Sequence, residues 1–149
     1  MQSYAKQVAP TWWTVAVALL VGVLVASWTL PVRAEQGKTA KEGVFSAAQA
    51  KRGEGVYQEQ CAACHGGDLS GGGAPGLAGG DFLGFWDKTP VADLVEKIAT
   101  SMPATAPGSL TRAQAADLTS FILLSNKFPA GEAELGSDAD VLKTITIVK

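Results

Sequence analysis

"QCAACHGGDLSGGG", residues Gln60 to Gly73, sets two cysteines three apart, puts a histidine directly after the second, and then runs into glycine. Three chemistries use such a stretch: a thioredoxin-like redox pair, half of a zinc site, and the covalent attachment of a haem. The rest of the chain decides between them. Cys61 and Cys64 are the only cysteines and His65 the only histidine in 149 residues, so the usual Cys/His ligand sets for zinc cannot be completed within the chain. A redox CxxC opens a helix after a buried strand in a βαβ pattern, and no such strand pattern precedes Cys61. A disulfide at this spacing closes a very small loop and restrains the unfolded chain little. Cys-x-x-Cys-His as a haem attachment site needs nothing further, because each thiol adds to a vinyl group and the adjacent imidazole becomes the proximal iron ligand.

Toward the N-terminus lies "TWWTVAVALLVGVLVASWTL", Thr11 to Leu30, an uncharged run that follows Lys6 and is closed by "PVRAEQ". Val32 and Ala34 occupy the small-residue positions of a cleavage site, so 1–34 is expected to be an export signal cut after Ala34. The run is also nearly long enough to span a bilayer, which leaves an uncleaved N-terminal membrane anchor as the alternative. Both place the folded part on the outer side of the membrane, in the periplasm. From Glu35 onward there are 10 Lys+Arg against 14 Asp+Glu, a formal balance of −4. A nucleic-acid surface needs the opposite excess, so that partner is excluded. Roughly 115 residues bury only a modest core unaided, and a covalent cofactor would staple it.

The helices follow from periodicity. "FSAAQAKRGEGVYQEQCAACH" opens with Ser46 and Gln49 in capping-box spacing, and Val56, Tyr57 and Cys61 recur at helical intervals. A helix of about four turns therefore delivers the cysteines from its C-terminal end. Gly53 weakens that helix and implies that another passes close to it. "GGDLSGGGAPGLAGG", Gly66 to Gly80, reads as an irregular loop in which Pro75 and Leu77 suit a backbone pressed against a flat cofactor. In "KTPVADLVEKIATSMP", Thr89 is the expected N-cap and Pro90 the first helical residue, with Val91, Leu94, Val95 and Ile98 on one buried face. That helix should end at Ser101. Met102, just beyond it and held by Pro103, is the only methionine besides Met1. With no second histidine, it is the candidate for the other axial position on iron. In "SLTRAQAADLTSFILLSNKF", Thr111 and Gln114 form a second capping box, Leu110 can staple onto Ala115, and Leu118, Phe121, Ile122 and Ser125 face inward. The tail alternates Ile145 and Ile147 as a short strand or extended arm. The expected layout is a linker over 35–45, an all-α domain over 46–128, and a tail, 129–149, packed on its surface.

Gly53, Tyr57, Cys61, Cys64, His65, Pro75, Leu77, Met102 and Phe121 together resemble the pattern of class I, mitochondrial-type cytochromes c, over roughly Ser46 to Phe128. The resemblance implies an all-α cytochrome c-like domain around one haem c, bound covalently through Cys61 and Cys64. It further implies that the first and last helices cross at Gly53 against Phe121, and that the Pro75 carbonyl accepts the His65 Nδ1 proton. By the same analogy Trp86 donates its indole N–H to a haem propionate, or else packs as a core aromatic. "GGDLSGGGAPGLAG", "MPATAPGSL" and "NKFPAG" are similar to cytochrome c subunits and electron acceptors associated with pyrroloquinoline-quinone (PQQ) dehydrogenases of Gram-negative bacteria. The expected function is that of a periplasmic one-electron carrier with His65/Met102 ligation, not an enzyme. A periplasmic dehydrogenase would be the donor, and a terminal oxidase or another cytochrome of the respiratory chain the acceptor. Two alternatives stand beside it: a haem subunit fixed in a membrane-bound dehydrogenase or oxidase complex, if the N-terminal segment is uncleaved, and a haem enzyme or gas sensor with a labile Met102. The last lacks an evident distal acid–base residue.

Overall fold

Ser46 stands in extended backbone and its side chain accepts the Gln49 N–H at 3.1 Å. It thereby starts α1, Ala47–Gln60, in a computed structural model that describes residues 37–149. The expected signal or anchor over 1–34, with Lys6, Val32 and Ala34, lies outside the described residues. The capping box expected at Ser46 is only half formed. Gln49 is buried, and its amide instead grips the backbone of Leu135, donating to the carbonyl at 2.8 Å and accepting the N–H at 2.7 Å. After Cys61 a single turn, α2, Ala62–His65, completes the motif.

The main helix interface joins α1 to α5, Arg112–Ser125. At α5 both arms of the Thr111/Gln114 capping box are made. The expected meeting of Gly53 with Phe121 is corrected. A Cβ on Gly53 would overlap the carbonyl oxygen of Asp117 and stand 3.0 Å from the Leu118 nitrogen. Gly53 therefore meets α5 backbone. Phe121, one turn further along α5, meets Tyr57, one turn further along α1, with ring centroids 5.2 Å apart. Beside the crossing, Arg52 bridges Glu134 at 2.8 Å and Asp117 at 3.0 Å, and these hydrogen bonds, the one to Glu134 foremost, hold its guanidinium pKa above the ordinary range.

Two elements lie between. The expected loop is interrupted by a short helix, α3, Gly79–Trp86. Next comes α4, Val91–Ser101, whose N-cap is Pro90 rather than Thr89. The Thr89 hydroxyl turns back instead and donates to the Trp86 carbonyl at 2.7 Å. Val91, Leu94, Val95 and Ile98 are all buried along one face of α4, and the helix ends at Ser101.

The expected surface tail is instead part of the core. Leu135, Leu142, Ile145 and Ile147 are all buried in the central cluster. The tail forms α6, Ala139–Lys143, and β2, Ile145–Thr146. β2 pairs in parallel with β1, Lys38–Thr39. The stretch expected as a linker thus supplies β1, a 3₁₀ turn at Ala40–Glu42, and the buried side chains of Ala40 and Phe45. Alternating isoleucines signal a strand, but not its partner, which lies more than a hundred residues earlier. Among the described residues the architecture is all-α, with one two-stranded ribbon joining Lys38–Thr39 to Ile145–Thr146. Among the described residues no helix is long and apolar enough to cross a membrane.

Candidate functional site

The α1–α2 corner presents Cys61, Cys64 and His65, and the following loop folds back onto it. Cys64 and His65 carbonyls accept the N–H groups of Ala74 at 3.0 Å and Gly71 at 2.9 Å. Tyr57 donates its hydroxyl to the Gly66 carbonyl at 2.6 Å. Gly71 makes this path possible, with φ at +93° and a position where a Cβ would lie 2.9 Å from the Gly76 nitrogen. The loop thereby brings the Pro75 carbonyl to 2.8 Å from His65 Nδ1. A carbonyl can only accept, so Nδ1 carries the proton and Nε2 is left with its lone pair. The far end of the loop is fastened by Asn126, at the end of α5. Its side chain donates to the Leu77 carbonyl at 2.8 Å and accepts the Gly79 N–H at 2.9 Å.

At the end of α4, Met102 leaves the helix in extended backbone, its N–H still bonded to the Ile98 carbonyl at 3.1 Å. Cys61, Cys64, His65, Pro75, Leu77, Trp86 and Met102 all line one cavity of about 480 Å³ with predominantly apolar walls. Sequence reasoning missed the contribution of α3, which supplies Phe82, Phe85 and Asp81, and of Lys97 on α4. The rings of α3 form a cluster: Trp86 lies edge-on to Phe85 at 5.2 Å and tilted to Phe82 at 6.3 Å. Phe82, Phe85 and Trp86 carry a helical spacing that could have revealed them. Gly79, Gly80 and Gly84 obscured it.

The electrostatics weigh against the redox-pair reading of the motif. Burial, and then the neighbouring Cys64, push the Cys61 thiol up, whereas a reactive CxxC needs a lowered thiol pKa. Among the described residues no three of His, Cys, Asp and Glu converge as a metal cluster.

The family model described as cytochrome c oxidase, cbb3-type, subunit III, matches residues 48–122, just over half of the chain. The chain belongs to this family. It is a c-type cytochrome, an electron-transfer protein, and its cofactor is one haem c bound covalently through Cys61 and Cys64. Comparison with curated proteins and with solved structures finds no significant match.

The residues present in the cytochrome fit that group. The cavity volume lies within the range of sites for large organic ligands, and its apolar walls suit a porphyrin face. Two thiols, an imidazole with a free Nε2 and a thioether all border the same space, a donor set matched to haem iron and haem vinyls.

Proposed function

We propose that the cytochrome is an exported one-electron carrier whose iron is held by His65 and Met102. The observation that carries this reading is the convergence of both cysteines, His65 and Met102 on a single, largely apolar cavity. Bound haem supplies one-electron chemistry at iron. The chain's own residues set its terms. Through its hydrogen bond the Pro75 carbonyl fixes the tautomer and plane of His65 and makes Nε2 a better donor. Met102, carried on the end of a packed helix, offers a soft thioether that favours the reduced state and raises the potential. His65 and Met102 would both hold the iron, so the same two side chains would serve either oxidation state and would leave small ligands no place to bind. Leu94, Ile98, Leu118 and Ile122 close the inner wall against water.

The partners are redox proteins in the periplasm. The resemblance of "GGDLSGGGAPGLAG", "MPATAPGSL" and "NKFPAG" to partners of PQQ-dependent dehydrogenases supports such an enzyme as donor, with a terminal oxidase or another cytochrome as acceptor. The description of the matched family favours a second reading, a haem subunit fixed within an oxidase complex. Fractionation separates the two, since a carrier is released with the soluble periplasm and a fixed subunit stays with an oxidase in the membrane. The ligand assignment is tested with Met102→Ala in the haem-loaded protein. The expected result is a high-spin or ligand-exchanged oxidised spectrum and a lowered midpoint potential; an unchanged low-spin spectrum at the parental potential overturns it.

A further inference from the structure

Lys97 is a cavity wall residue that the haem reading leaves without a role. It stands on the exposed side of α4 and still borders the cavity. Its helix neighbours, Asp93 one turn earlier included, form no ion pair with it. Glu96 is paired with Arg112 at the start of α5, and among the described residues no carboxylate forms an ion pair with Lys97. The only carboxylate on the same walls is Asp81. Haem brings propionate carboxylates into this cavity, and the surrounding domain is net acidic. A carboxylate taken partly out of water against apolar walls needs a cation or donors to compensate it.

We infer that Lys97 is the counter-ion of a haem propionate and a positioning residue that raises the midpoint potential. The inference rests on the reading of the cavity as the haem site. A fixed positive charge beside the group disfavours the more positive oxidised state, so removing it shifts the balance toward oxidised protein. The ammonium is a point charge with rotatable donors, so an arginine at the same position preserves the effect while glutamine does not.

The test uses the full chain exported with its haem, as Lys97→Gln, Lys97→Arg, Lys97→Gln with Asp81→Asn, and Lys51→Gln as a distant surface control. Covalent haem is measured first, by retention through acidified organic solvent. If the parent chain itself retains none, the haem reading fails and the inference with it. In loaded protein, the reduced-to-oxidised ratio is then read in a fixed redox buffer. Lys97→Gln is expected to lower that ratio about two- to fivefold, the range for a partly exposed ion pair, while Lys97→Arg and Lys51→Gln stay near the parent. Lys97→Met gives the same reading should the glutamine variant not load. A ratio within error of the parent overturns the inference, as does an equal shift in Lys51→Gln. Asp81→Asn alone is the reference for the double variant, and a Lys97→Gln shift that disappears relative to that reference also overturns the inference, because Asp81 would then be the true partner.

Discussion

Tyr57 is fully buried, and its hydroxyl serves the attachment motif by donating to the Gly66 carbonyl at 2.6 Å. Burial first, and then the negative charges available at Cys61 and Asp68, push the phenol from its ordinary 10.0 up to about 12. With Cys61 converted to a thioether, burial, the largest cause, remains. The folded state thus prefers the protonated phenol. Its contribution is complete below the ordinary value and is lost as pH rises through about 12. Tyr57→Phe should cost about 0.5–1.5 kcal/mol at neutral pH, the net worth of one such hydrogen bond, and should flatten the alkaline limb of the stability profile. Denaturant midpoints for parent and variant across that limb check it; coincident curves would show that the bond does not matter. Residue by residue, the attachment motif was legible because it is local: Cys61, Cys64 and His65 are chemistry and spacing in five positions. Gln49, Asn126 and Lys97 were not. Gln49 acts on Leu135 and Asn126 on Leu77 and Gly79, and no spacing rule links side chains to backbone groups so far away in sequence.

At the scale of elements, α1 carries two glycines that propensity treats alike, and only one of them decides the α1–α5 crossing. In an exposed helix interior either one would gain up to about 1 kcal/mol on replacement by alanine. Gly55 should behave that way, since nothing lies within 4 Å of the Cβ it lacks. At Gly53 the same methyl would be driven into the Asp117 carbonyl. The helices must then part, at a cost of about 1–3 kcal/mol that reverses the sign. Gly55→Ala should raise the denaturation midpoint and Gly53→Ala should lower it; two variants moving together would mean that the helices do not touch at Gly53. The sequence could announce the close approach but not its target. A helix period shows which face is inward, whereas the register of one helix against another depends on packing around both. Hence Gly53 meets backbone and Phe121 meets Tyr57. For α3 the obstacle was different. Glycine propensity argued for loop, and the burial of Phe82 inside the assembled domain overrode it.

At the scale of the whole molecule, the residues after Phe128 close the domain, although the matched family region stops at residue 122. Ile147 brackets the turn between α3 and α4, accepting the Lys88 N–H at 2.7 Å and donating to the Thr89 carbonyl at 2.9 Å. Lys149 donates its backbone N–H to Asp87 at 2.9 Å. This turn follows Trp86 directly, so the arm that ties β2 to β1 also braces one wall of the haem cavity. Asp87 is the titratable part of that brace. The Lys149 N–H chiefly, with the charges of Lys149 and Lys88 behind it, holds its carboxyl below the ordinary 3.8. The folded state therefore prefers the charged form. Its stabilisation is complete above the ordinary value and falls away as pH drops below it toward the depressed folded value. Asp87→Asn retains an oxygen to accept the Lys149 N–H but removes the titration. The variant should be somewhat less stable than the parent at neutral pH, and the gap should narrow below about pH 4 as the parent loses its charge. Denaturant midpoints of both proteins from about pH 7 down to pH 2 measure that gap. If it stays constant through the acid range, the charge on Asp87 is not what holds the arm against the cavity wall.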